Sequence, residues 1–200
     1  MKRMKSIATV SCVVAIVLGF AAAADAANWK VDASHTTVGF SVNHLFTSVQ
    51  GRFDRFDGTI VFDTAMPESA VVRGTVEAAS INTNHEKRDK HLRSDDFFDV
   101  EKYPTLSFES TGGVTEMKEN RGKLAGNLTI HGVTRPVVFD VTFRGQGNDP
   151  WGNVRAGFSA NLTIDRKDYG LHWNEVLETG GLLVGEEVEI RIDAEGILGE

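Results

Sequence analysis

The chain alternates apolar and polar residues over long stretches. Six runs carry the pattern: Val38/Phe40/Val42, Ile60/Phe62, Leu124/Leu128/Ile130, Val137/Phe139/Val141/Phe143, Phe158/Leu162/Ile164 and Val184/Val188/Ile190/Ile192. Successive side chains of a strand point to opposite faces, so each run has one oily side and one wet side. Strand after strand of this kind predicts an all-β chain whose sheet closes into an antiparallel barrel of about eight strands, oily faces inward. The spacing predicts strands near residues 29–32, 35–44, 49–63, 71–79, 105–110, 123–131, 135–145, 153–165 and 183–196. Between 49 and 63 the phase changes. Val49, Gly51 and Phe53 are odd, whereas Phe56, Gly58, Ile60 and Phe62 are even, which predicts a β-bulge near Asp54 or Arg55.

Two stretches break the alternation. Residues 82–94 carry His85-Glu-Lys-Arg-Asp-Lys-His91. Thr83 or Asn84 can cap a helix there, and Glu86 with Lys90 makes an i,i+4 pair, so one short helix is expected as an excursion from the barrel. Residues 168–181 are irregular and glycine-rich, a loop or a lid containing Tyr169, Leu171 and Trp173.

The first residues alter the picture by setting the compartment. Lys2, Arg3 and Lys5 precede an apolar core from Ile7 to Phe20, and Ala24-Asp-Ala26 is a small-x-small cleavage site. This is the pattern of a secretory signal peptide over residues 1–26, cleaved after Ala26, with the barrel domain at 27–200 and a periplasmic product. Cys12, the one cysteine, leaves with the leader, so the core alone must stabilise the exported chain. The whole chain has a net charge of −7; without the leader, 18 basic residues face 27 acidic ones, near −9. That balance argues against nucleic acid and anionic lipid as partners. No second long apolar segment exists, so a soluble rather than membrane-spanning protein is expected.

Candidate chemistry is sparse. There is no G-x-S-x-G and no Gly-rich phosphate loop, and the six histidines lack metal-ligand spacing, so neither a catalytic residue nor a metal is expected. Arg88-Asp-Lys-His91 reads either as a clamp tying the excursion to the barrel or as a site for an anionic head, because arginine offers phosphate a planar donor fork. Arg166-Lys-Asp168 can join either role. The apolar lining is also open to two readings, a packed core or a hollow that holds a greasy ligand. Long strands, small inward residues (Gly74, Gly126, Ala156, Ala160) and the polar excursion favour the hollow.

Several segments resemble one family. They are Asp32-Ala-Ser-His-Thr-Thr-Val-Gly-Phe-Ser-Val-Asn-His44, Ser80-Ile-Asn-Thr83, Arg88-Asp-Lys-His-Leu-Arg-Ser-Asp-Asp-Phe-Phe-Asp-Val100, Lys102-Tyr-Pro-Thr-Leu-Ser-Phe-Glu-Ser-Thr111, Gly126-Asn-Leu-Thr-Ile-His-Gly-Val-Thr-Arg-Pro136 and Ile164-Asp-Arg-Lys-Asp-Tyr-Gly170. In this order they resemble the YceI-like family of bacterial periplasmic proteins across nearly all of the chain after the leader. Ile164-Asp-Arg166 departs from the Ile-Asn-Arg of many relatives. The resemblance implies an extended lipocalin-like barrel around a long apolar tunnel, polyisoprenoid ligands such as quinones and isoprenyl phosphates, homodimers among relatives, and no enzymatic activity.

The combined expectation is a non-enzymatic carrier or store for an isoprenoid lipid, with that lipid as ligand and no cofactor. The tail would lie along Phe40, Val42, Phe53, Phe62, Phe108, Leu128, Ile130, Phe139, Phe158 and Leu162, and the head near Arg88, His91 or Arg166. Two rivals are an enzyme acting on a lipid or quinone and a filled-core stress or interaction protein.

Overall fold

The computed structural model describes residues 27–176 and 182–199; the expected leader lies outside them. The strands are β1 (Ala27–Val31), β2 (Thr37–His44), β3 (Thr47–Phe53), β4 (Phe56–Phe62), β5 (Val71–Glu77), β6 (Ile81–Asn82), β7 (Thr105–Lys118), β8 (Arg121–Ile130), β9 (Val133–Asn148), β10 (Val154–Asp165) and β11 (Val184–Leu198). Helix α1 (Glu86–Arg93) separates β6 from β7. All pairings between these strands are antiparallel. A ring runs β1-β4-β5-β7-β8-β9-β10-β11 and closes through β1 against β11, giving an eight-stranded barrel.

The six shortest strands are halves of three long staves. β1 and β2 both pair with β11, from Trp29↔Leu198 to Val42↔Val188. Between them Asp32 caps a single 3-10 turn, accepting the Ser34 N–H at 3.0 Å. β3 and β4 are joined at Asp54–Arg55, where the phase change predicts a bulge. The opposite stave breaks at the same level, in a 3-10 turn at Ala78–Ser80, and the two breaks satisfy one another. Asp54 donates its N–H to Ser80 O (3.1 Å), and Glu77 donates to Arg55 O (3.0 Å). The result keeps both Phe53 and Phe56 facing inward.

Two features differ from the sequence pattern. β7 runs on to Lys118 through Gly112-Gly113, with a register shift between Ser110 and Val114. Gly113 lets this stave pass over the turn at 67–69, where a Cβ would meet the Glu68 backbone at 1.9 Å. The helix cap is His85 rather than Thr83 or Asn84; its Nδ1 accepts the Arg88 N–H.

β6 pairs with β3 alone, so the ladder stops between β6 and β7. There α1 and the turns at 94–104 complete the wall. Arg93 ties the helix down, donating to Ala79 O (2.7 Å) and Ile81 O (2.6 Å). Two clusters of buried apolar side chains stand out among the described residues. One, at the end remote from α1, contains Trp29, Ile60, Phe62, Val114, Leu124 and Ala156. The other joins Leu128 and Ile130 to Tyr169 and Leu171.

Candidate functional site: an apolar cavity along the barrel

A cavity of about 590 Å³ runs inside the barrel, within the usual range for small-molecule sites. Its wall is almost wholly apolar. At one end it is bordered by α1, Trp173, His44 and Val184; at the other by Phe62, Phe143, Met117 and Asn120. Phe40, Phe108, Phe143, Phe158, Ile190 and Ile192 point inward yet are only half-buried, because their remaining surface faces this space. A solid core would cover such side chains completely.

The sequence-predicted tail residues fall mostly on this wall. Phe40, Val42, Phe53, Phe62, Phe108, Leu128, Ile130, Phe139 and Phe158 all border the cavity. Leu162 does not. The 3-10 turn Arg166–Tyr169 folds Tyr169 back, and Leu162 packs on that cluster with Leu128, Ile130 and Leu171. Of the small inward residues, Gly74 and Ala160 border the space. Gly126 instead lies under the Phe108 ring, which a Cβ would meet at 2.3 Å, and Ala156 is packed in the cluster with Trp29.

The three basic candidates converge at the α1 end and all border the cavity, but they are held differently. Arg88 reaches across the helix start, Nε to Thr83 Oγ1 (2.7 Å) and Nη2 to Thr83 O (2.8 Å). Thr83 in turn donates its N–H and hydroxyl to buried Asp89. The bracing of the excursion is thus a hydrogen-bond network through Thr83. His91 Nε2 lies 2.9 Å from Asp96 Oδ2. Its ring stands edge-on to Trp173 and Phe97, with centroids 4.8 and 5.1 Å away.

Arg166 is 3 % exposed and binds carbonyls: Gly185 O at 2.8 Å, Trp173 O at 2.9 Å, and Leu171 O. Burial pushes its guanidinium below the ordinary arginine value, opposed by Glu186 and Asp165. It fixes the segments that carry Leu171, Trp173 and Val184 at the cavity end. The sequence marked Trp173 only as a member of an irregular stretch and Phe97 only as part of the segment Arg88 to Val100. Their approach to His91 depends on folding three segments together, which no local pattern encodes.

A second polar centre lies at the remote end. Arg155 donates Nε to Asp149 (2.7 Å) and Nη1 to Asp32 (2.7 Å) and Glu195. Asp32 also takes the Ser34 hydroxyl and His35 Nδ1. These partners hold the Asp32 and Asp149 carboxyls well below the usual carboxylate range, the Ser34 hydroxyl acting most strongly on Asp32 and the Asn153 amide on Asp149. Arg155 fills the space among the acids and pins the β1–β2 break to the β9–β10 turn.

The profile of the YceI-like domain matches residues 29–196. The UPF0312 protein of Pseudomonas paraeruginosa is 42 % identical over 177 residues, covering 86 % of this chain and 87 % of the relative. Among solved structures, Burkholderia cenocepacia BcnA shares the fold at TM-score 0.73 and 24 % identity, covering 82 % of this chain and 98 % of that one. The Campylobacter jejuni YCEI protein aligns at 0.65 and 29 % identity, covering 78 % and 88 %. A polyisoprenoid binding domain from Saccharophagus degradans aligns at 0.64 with 16 % identity, covering 87 % and 99 %. The chain belongs to the YceI-like family.

Proposed function

We propose that this protein is an exported, periplasmic carrier or store for an isoprenoid lipid of the quinone or polyprenyl phosphate class, and that it binds without catalysis. The observation that carries the reading is the open apolar cavity, bordered by nine of the ten residues singled out for a tail. The fold shared with a polyisoprenoid binding domain supports the same ligand class. Each CH2 removed from water contributes about 0.8 kcal/mol. A tail of several isoprene units therefore gains on the order of 10 kcal/mol gross, and association and ordering costs leave roughly micromolar to nanomolar binding.

The head lies at the α1 end in this reading. Arg88 Nη1, which has no protein partner among the described residues, and the His91 ring are the groups that meet it. Arg166 shapes the site through backbone carbonyls. The test is titration of detergent-free protein with a short-chain quinone and with a prenyl phosphate, read by quenching of tryptophan fluorescence. Saturable one-to-one uptake of either supports the reading; uptake of neither overturns it.

A second reading rests on the His91–Asp96 pair, which an enzyme acting on a lipid or quinone would use for proton transfer. That enzyme would lose turnover but keep binding in His91→Gln. The carrier has no turnover to lose and binds its ligand more weakly in the same variant.

A further inference from the structure

We propose that the β2–β3 hairpin tip, Leu45–Phe46, is the face by which the protein docks on a lipid leaflet to load and release its ligand. The proposal rests on the lipid-carrier reading. The connection has two residues, between the His44↔Thr47 pair. Hairpins this short take Asn-Gly, Asp-Gly or Gly at these positions, because the backbone must enter the left-handed region. Here Leu45 adopts φ 53. A leucine in that region carries a backbone cost that glycine or asparagine would lower. The following residue, Phe46, is 96 % exposed. Both residues are thus worse choices for the isolated fold than the usual turn pair.

The tip is part of a continuous apolar rim. The Leu45 N–H donates to Leu183 O at 3.0 Å, and the Leu183 N–H donates to Glu175 O at 3.0 Å. Next to them Val176 and Leu182 face each other across an isolated bridge, and both are exposed. His44, Leu183 and Val184, which adjoin this rim, also border the cavity. This exposed apolar strip therefore adjoins the apolar interior at the cavity end. A ligand that fits such an interior resides in a bilayer rather than in water, and an apolar path from leaflet to cavity avoids hydrating it.

Charge points to the kind of leaflet. On α1 the exposed Lys87 and Lys90 share the helix with exposed Glu86, Glu175 beside the rim is exposed too, and the whole chain is acidic. Insertion of apolar side chains, rather than attraction to anionic headgroups, drives this docking, so a zwitterionic surface serves.

The experiment compares the full protein with the double variant Leu45→Asn/Phe46→Gly. Probes are a short-chain quinone in solution and a long-chain quinone carried in phosphatidylcholine vesicles. The expected result is a raised Tm, unchanged affinity for the short-chain quinone, and transfer from vesicles slowed ~10-fold by loss of two interfacial apolar side chains. Wild-type co-sedimentation with vesicles persists at about 0.5 M salt, where screening reaches only a few ångströms. Equal transfer rates in the two proteins would overturn the proposal, as would wild-type self-association that the variant abolishes while transfer stays intact. Failure of both proteins to take up the short-chain quinone would instead sink the carrier reading itself.

Discussion

The tip of the Phe40 ring rests against Gly51, its cross-strand neighbour, so closely that a Cβ at position 51 would come 2.2 Å from Phe40 Cζ. Phe108 uses Gly126 in the same way. In both pairs the glycine lets a large ring lie along the wall instead of across the lumen. The hollow thus arises from the direction in which aromatic residues fold as well as from small residues facing it.

The first prediction follows. Gly51→Ala displaces the Phe40 ring, costs about 1–3 kcal/mol of stability as overpacking does, and weakens quinone binding because the ring enters the cavity. In Phe40→Ala/Gly51→Ala the methyl group has room, and the two substitutions are non-additive by about 1 kcal/mol or more. Denaturant unfolding and quinone titration of the four proteins check this.

Ala160 borders the cavity on β10, paired with Val141 and Ile192. In a solid core Ala160→Phe would overpack and cost about 1–3 kcal/mol. In this barrel the ring enters open space, so stability changes by less than about 1 kcal/mol while ligand affinity falls ~10-fold, or about 1.4 kcal/mol. Unfolding midpoints and titration of the same sample separate the two cases.

Arg166→Lys destabilises the protein by about 1–3 kcal/mol, the cost of leaving buried carbonyls without donors. One ammonium cannot reproduce a planar fork reaching Gly185, Leu171 and Trp173. Hydrogen exchange rises first at residues 171–173 and 184–185, before global unfolding.

Arg155→Met tests the remote ion cluster through pH. Asp32 and Asp149 have folded-state values below their unfolded ones, partly through Arg155. Such carboxylates stabilise the fold above the unfolded value, about 3.9, and lose that contribution as pH falls through the folded value. The variant should be less stable than wild type at pH 6, with the gap closing as pH drops below about 4. Melting curves across that range measure it.

Period-two alternation made the staves legible, because a half-buried strand has little freedom in which positions are apolar. The phase change at Asp54–Arg55 was legible for the same reason: Phe53 and Phe56 both had to face inward. The end of β7 was not, because Gly112-Gly113 reads as a stop unless one knows that the stave crosses the Glu68 backbone. Leu162 keeps the inward phase of its strand, yet it packs on the cluster of Leu128, Ile130, Tyr169 and Leu171 and does not border the cavity. The Arg155 cluster joins residues 32, 149 and 195, far apart in sequence, and no local pattern announces it.

Native mass spectrometry of protein purified without detergent, with extraction and identification of whatever lipid it carries, tests the central claim most directly. A complex whose added mass matches an isoprenoid lipid, or apo protein that takes up one quinone or prenyl phosphate per chain, is the expected result. A bare chain mass that no added isoprenoid shifts would contradict the account.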